Sequence, residues 1–422
     1  MSTHTPAADP DPAQENSASS SSDASIFRQR TFIQFWAARL LAGLSFQVVA
    51  VALGWQIYAL THSAYALGMV GLAQFLPMFA LTLVVGHVAD RYDRRLVVSI
   101  GTALNALAVM LLALGSWQGW LGPAGVYLLA AVSGGARAFV TPTQMAMLSG
   151  LAPRPLLQRA TALSSSIGQT AQVAGPALGG LLYACGAPAA YGCAALGMAL
   201  SSILLGTIKM QATVLPREPL SRASLLSGIT FIRDQPVILG AISLDLFAVL
   251  LGGATALLPI YAHDILRVGP TGLGLLRSAP AIGSLAASLI LARRPMHAHF
   301  GRLMFSAVIV FGVATMLFGI SHNFYLSLAA LAATGAADSI SVVIRQTLVQ
   351  LRTPDAMRGR VGAVNALFIG TSNQLGEFES GIVAGLLGAV PSVVLGGLGT
   401  VAVALLWIKL FPQLREARSL DN

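Results

Sequence analysis

Charge is what this sequence has least of. It holds 25 Lys and Arg and 16 Asp and Glu in 422 residues, so 10% of the chain is charged and 55% is hydrophobic. Soluble domains carry about 25% charged residues. A mean hydropathy of +0.73 therefore predicts a chain that lies in lipid. Lysine is nearly missing. The two that occur, Lys209 and Lys409, precede Met and Leu. A phosphate-binding loop of the G-K-[ST] type needs a lysine before Ser or Thr, so no nucleotide engine is expected. Paired metal ligands, H-E-x-x-H and G-x-S-x-G are missing too, so neither an enzyme nor a cofactor is expected. His297 and His299 stand without further ligands and read as a solvated loop. Cysteine is confined to Cys185 and Cys193, flanking "GAPAAYG". That stretch reads as a short extracytoplasmic turn, where packing among small residues is favoured over a disulfide. The net charge of +9 does not point to nucleic acid. The basic residues come singly or in twos and threes between apolar runs and form no basic face with stacking aromatics.

What is there is a series of long apolar runs. A spanning helix needs about 20 mostly apolar residues. Twelve such windows are predicted, near 33–59, 64–88, 96–115, 121–147, 160–183, 189–208, 236–261, 271–292, 303–320, 324–348, 361–387 and 391–411. Before them, residues 1–25 ("MSTHTPAADPDPAQENSASSSSDAS") lack the basic start and apolar stretch of a signal peptide and read as a disordered cytoplasmic tail. Alternate connections collect the bases: Arg28 and Arg30; Arg91, Arg94 and Arg95; Arg154 and Arg159; Lys209, Arg217, Arg222 and Arg233; Arg293, Arg294 and Arg302; Arg352, Arg358 and Arg360; Lys409, Arg415 and Arg418. The opposite connections have Arg267 as their one clear case. The bias of Lys and Arg toward the cytoplasm puts both termini there.

The chain also repeats itself. Residues 209–234 are the longest polar connection and divide it into a six-helix half over 26–208 and another over 235–413, with 414–422 as a cytoplasmic tail. At an offset of 201, Pro153 meets Pro354, Arg159 meets Arg360, Gly175 meets Gly376 and Gly180 meets Gly381. Matched glycines in spans five and eleven predict close backbone approach at equivalent places. Two parallel six-helix repeats are a transporter architecture with substrate held between the halves.

The stretch "GHVADRYDRR" (86–95) resembles the G-x-x-x-D-R-x-G-R-R signature between spans two and three of the major facilitator superfamily, with Asp93 in the place of a glycine. "AGPALGG" in span five resembles that superfamily's antiporter signature, with Ala171 in the place of its first glycine. "GPTGLGLLRSAPAIGSL" and "RGRVGAVNALFIGTSNQLGEFESG" look like the enterobactin-exporter-like subfamily of bacterial efflux proteins. The resemblance covers about residues 26–412. It implies an all-α integral membrane protein of the major facilitator fold, with twelve transmembrane helices in two pseudo-symmetric halves, in a bacterial inner membrane. It also implies that Gly86, Asp90, Arg91, Arg94 and Arg95 form a gating motif. In it Asp90 meets the segment around Arg360–Gly362, and Arg94 meets an acid on span four that this chain lacks between 138 and 150. Gly175, Pro176, Gly179 and Gly180 form the span-five motif, which reads as packing, with a coupling role as the alternative.

Ionisable residues inside spans are costly and are functional candidates for that reason. Asp245, Asp338 and Glu377 lie deep and are candidates to carry a proton or contact substrate, together with Arg137 and Arg345; a structural ion pair is the alternative for each. Asp338 and Arg345, seven residues apart, share a helix face but stand two turns from contact. Glu377 and Glu379 point about 200° apart, so only one faces a cavity easily. Arg39 and Arg277 lie near helix ends, where they can snorkel. The expected function is secondary active export of an organic solute by alternating access, with proton antiport. A siderophore is what the subfamily suggests as substrate, and multidrug efflux of lipophilic compounds is the alternative. The partners are a small-molecule substrate, protons and the lipid bilayer, and a monomer is expected.

Overall fold

The computed structural model describes residues 30–151, 156–208, 222–293 and 300–416. Every regular element in them is helical. The first half contains α1 (Arg30–Thr61), α2 (Ala64–Arg91), α3 (Arg94–Gln118), α4 (Pro123–Leu151), α5 (Leu157–Ala184) and α6 (Ala187–Thr207). A helix in the connection, α7 (Arg222–Asp234), leads to α8 (Pro236–Leu251), α9 (Gly269–Arg293), α10 (Phe300–Ile320), α11 (Phe324–Arg352), α12 (Asp355–Leu387), α13 (Ala389–Leu410) and α14 (Pro412–Arg415). Ten segments among the described residues are long and apolar enough to cross a membrane. With α5 and α12, of 28 and 33 residues, twelve long helical segments stand where twelve windows are expected. Large apolar side chains such as Ile100, Leu107, Ile203, Ile290 and Leu398 are exposed on the outside of the bundle, as lipid contact requires.

Three expectations need correction. The seventh span is not one helix. α8 stops at Leu251, Gly252 and Gly253 follow, and the chain continues as a 3₁₀ turn (Ala254–Leu257), a helical turn (Leu258–Ile260) and a π-helical turn (Tyr261–Ile265). Two glycines weaken the helix. Pro259, lacking an N–H, leaves the Thr255 carbonyl to the N–H of Leu258, the tighter 3₁₀ bond. The loop expected at "GAPAAYG" shrinks to Cys185 and Gly186, because Pro188 at a first-turn position starts α6 at Ala187. Both cysteines are free and exposed, so neither buried packing nor a disulfide holds them.

The face where α1 begins and α2 ends, carrying Arg30, Arg94, Arg95, Arg233 and Arg352, is the basic face. The far face carries His62, Cys185, Arg267 and Asn323. At the far face one apolar core spans both halves, joining Leu53 and Ile57 of α1, Leu112 of α3 and Tyr191 of α6 to Leu257, Tyr261, Leu273 and Leu331. Toward the basic face the core splits. Phe32, Phe35, Met147 and Leu205 pack within the first half, and Phe300, Met304, Ile344 and Leu348 within the second. Apart from the backbone of its own helix, nothing among the described residues lies within 4 Å of where a Cβ would stand on Gly168, Gly359, Gly362 or Gly370. The halves therefore meet at the far face and part toward the basic face.

Candidate functional site

The far-face seams are built on glycine. A Cβ on Gly180 of α5 would lie 2.4 Å from the Pro270 carbonyl of α9, and one on Gly274 the same distance from the Pro176 carbonyl. In the matching seam a Cβ on Gly381 of α12 would lie 2.6 Å from the Cα of Gly68 on α2. Gly175 and Gly376 do the same duty one step inward: Gly175 fits against Gln47 of α1, and Gly376 against the carbonyls of Val249 and Leu250 of α8. The repeat read from the glycines is thus a two-fold relation in space. In it span five of one half packs on the first span of its own half and the second span of the other. Gly179 also rests on α1, beside Val48 and Val51. Ala171, in the place of a signature glycine, faces Gly43, where a Cβ would lie 2.9 Å from its own. The missing glycine is supplied by the neighbouring helix.

The intramembrane charges gather in the second half and at the seam. Asp245 of α8 and Arg345 of α11 form an ion pair at 3.1 Å, with side chains 8% and 2% exposed. Arg345 also donates to Oδ1 of Asn365 on α12 at 2.9 Å. One guanidinium thus ties three helices, which makes Asp245 part of a structural pair in this conformation. Asp338, two turns away along the same face of α11, feels both Asp245 and Arg345. Glu377 of α12 sits against α2, where a Cβ on Gly71 would lie 3.2 Å from Oε2. It is electrostatically coupled to Arg277 of α9 and Arg137 of α4. Arg277 and Glu377 are both partly buried, and the coupling draws the guanidinium toward the carboxylate. Arg137 stacks on the ring of Phe46, 3.6 Å from its centroid. Glu379 is hydrogen-bonded to Ser380 instead.

Two cavities connect these groups. One, of about 190 Å³, lies between the break in α8 and helices α9 to α12. Asp338, Glu377, Asn373, Thr255, Thr315 and Thr334 supply its polar lining. A second, of about 10 Å³, lies between Asp245 and Asp338, and Val249 and Phe311 border both.

At the basic face, the side chains of Asp90 and Arg91 and the surroundings of Gly86 fall outside the described residues, as do His297, His299 and residues 1–25. Arg94 donates to the backbone carbonyl of Ala146 on α4 at 3.4 Å. That carbonyl stands in for the acid span four lacks. Asp93 caps α3, accepting from the N–H of Arg95 at 2.9 Å. Its oxygen also lies 3.2 Å from the Arg95 guanidinium, which donates to the Ile208 carbonyl at 3.1 Å.

Sequence reasoning missed one cluster. At the far face Tyr58 of α1 donates to Asp264, which is also bonded to His263 at 2.5 Å. His62 and Trp55 pack on the His263 ring at 5.7 and 5.4 Å between centroids. The only signal was polar residues crowding two short connections, "THS" and "AHD".

Two bundles of six helices, related by a two-fold axis and parted on one face, define a major facilitator transporter. The chain matches the family model described as transmembrane secretion effector over residues 21–422 and belongs to that family. It is similar to the enterobactin exporter EntS of Citrobacter koseri, 29% identical over 399 residues covering 90% of this chain and 92% of that one. The enterobactin exporter EntS of Shigella flexneri is 27% identical over 401 residues, with the same coverage. Among solved structures, a bacterial homolog of the human lysosomal transporter Spinster, inward-facing and unoccupied, superposes with a TM-score of 0.73. It is 13% identical and covers 92% of this chain and 98% of that one. The protein is a multi-pass transporter of small molecules in a bacterial inner membrane.

Proposed function

We propose that this transporter exports a catecholate siderophore from the cytoplasm by proton antiport, as a monomer, with both termini cytoplasmic. The basic face is then the cytoplasmic one, in accord with the placement of Lys and Arg, and the described conformation is open to the cytoplasm. Residues 26–208 and 235–413 are the two moving halves. One observation carries the reading: Glu377 lies at the seam between the halves, against Gly71 of α2, and is electrostatically coupled to Arg137 and Arg277. A carboxylate there can take up a proton when the seam faces one side of the membrane and release it when the seam faces the other, while Arg137 and Arg277 attract an anionic solute. The Arg137–Phe46 stack presents a cation and an aromatic ring together, which suits a phenolic anion better than a lipophilic cation. Likeness to two enterobactin exporters along nine-tenths of the chain supports the substrate class.

The span-five glycines act as hinge packing, and the 86–95 motif as the latch of the closed cytoplasmic face, Asp90 engaging the start of α12. In proteoliposomes, Glu377→Gln is expected to lose export of iron-free enterobactin driven by a pH gradient, while exchange of enterobactin between the two sides continues. Wild-type response to the gradient in that variant sinks the assignment. For the latch, Asp90→Asn is expected to deplete the population with the cytoplasmic ends of α2 and α12 together, read from spin-label distances. An unchanged distribution refutes it.

A further inference from the structure

We propose that Glu377, Asp338 and Asp245 form a proton path through the second half, joining Glu377 to the cytoplasmic face in this conformation. The proposal rests on the reading of Glu377 as the proton carrier.

The three carboxylates form a ladder. Counted along their helices at about 1.5 Å per residue, they stand roughly 33, 21 and 14 Å from the basic ends of α12, α11 and α8. Glu377 and Asp338 line the same cavity, and Asp338 and Asp245 line the next. At about 30 Å³ per molecule the larger cavity has room for roughly six waters, and the smaller is at the lower limit of about 10–15 Å³ for holding one. The larger one is polar enough to stay wet. Thr255, Thr315, Thr334 and Asn373 face it, and Asn373 spends its amide N–H on the Ile369 carbonyl, which leaves its own oxygen available. Asp338 and Glu377, both partly buried, have no hydrogen-bond or ion-pair partner within 4 Å among the described residues. Both carboxylates border the same cavity, and an ionisable residue inside a span that is not spent on a hydrogen-bonded pair is a functional candidate.

The path ends in a valve. A proton on Glu377 passes through water to the Asp338 carboxylate, which becomes the acid, and then across the small cavity to Asp245. Neutral Asp245 releases Arg345, which keeps its bond to Asn365 of α12. Asn365 lies one turn from Gly362, where the cytoplasmic opening begins. Loss of the proton to water there restores the Asp245–Arg345 pair. No proton is gained or lost overall; one moves from Glu377 to the cytoplasm. The cations facing these groups are Arg277 and Arg137 at Glu377 and Arg345 at Asp245 and Asp338.

The test needs no substrate. Full-length protein in lipid nanodiscs is subjected to a rapid pH drop, and protonation of buried carboxyls is followed by time-resolved infrared absorption. Glu377→Gln assigns the Glu377 band by its loss. Asp338→Asn is expected to slow the appearance of that band by roughly a hundredfold, the lower end of what a positioned proton-transfer group contributes. Asp338→Glu is expected to restore the rate, which separates the path from a packing defect. Glu377 protonating at the wild-type rate in Asp338→Asn overturns the path and leaves Glu377 as carrier. A spectrum in which Glu377→Gln removes no band overturns the carrier reading itself.

Discussion

The two halves fold alike and are charged unlike. α4 and α11 run over Pro123–Leu151 and Phe324–Arg352, an offset of 201 at both ends. At that offset Arg137 of the first half is answered by Asp338 of the second. α1 is an unbroken helix of 32 residues, whereas its counterpart α8 stops after 16 and continues through 3₁₀ and π turns. The second half holds the Asp245–Arg345 pair and both carboxylate-lined cavities. Symmetry has been kept where backbones must interlock and has gone where ionisable groups are housed. Glycine seams need both partners shaped alike, because a closed face must be reachable from either half. A set of charges has no such requirement. One half can carry it, provided that a seam residue such as Glu377 connects it to the other.

The largest way to break that comparison is at the buried pair. Asp245→Asn leaves the Arg345 guanidinium without its counter-ion in a site 2% exposed. Removing one partner of a buried ion pair costs about 3–5 kcal/mol. The midpoint of thermal unfolding in detergent is expected to fall accordingly, and the double variant Asp245→Asn with Arg345→Gln to recover most of the loss. The position equivalent to Arg345 in the first half is Gln144, which is partly exposed. Gln144→Ala is expected to change stability by less than about 0.5 kcal/mol. Equal costs at the two positions would mean that the halves are not held together differently after all.

The sequence reading went furthest where one helix suffices to make the argument. Twelve apolar windows, the basic face and the offset of 201 each depend on composition along the chain, and eleven of the windows recur as single helices with ends shifted by a few residues, the seventh as a broken one. The glycines of α5 and α12 were legible because close approach leaves a local trace, the lost side chain. Partners were not legible. Asp245 and Arg345 are 100 residues apart, and nothing in the spacing of either helix points to the other. Arg94 defeated the search for an acid on span four because it bonds to the main chain at Ala146, which every sequence offers. Arg277 looked like a residue near a helix end. Its electrostatic coupling to Glu377 crosses from α9 to α12, and the spacing along neither helix points to it. The break in α8 had a signal, Gly252-Gly253 with Pro259, that hydropathy averaged away.

A smaller perturbation asks whether the seams are as symmetric as they look. Gly180 meets the Pro270 carbonyl and Gly381 meets the Cα of Gly68, in both cases backbone that cannot rotate aside. Overpacking such contacts costs about 1–3 kcal/mol. The described conformation, closed at the far face, bears that cost. A state in which these seams separate does not, so substitution shifts the population toward far-face opening. Gly180→Leu and Gly381→Leu are each expected to lengthen spin-label distances across the far-face ends, the first between α5 and α9, the second between α2 and α12. If the two-fold relation governs movement as well as packing, the two variants shift the population to a similar extent, and the double variant shifts it further. A large shift from one variant and none from the other would show that the halves separate along a single seam. The unequal charges of the second half would then be matched by an unequal motion.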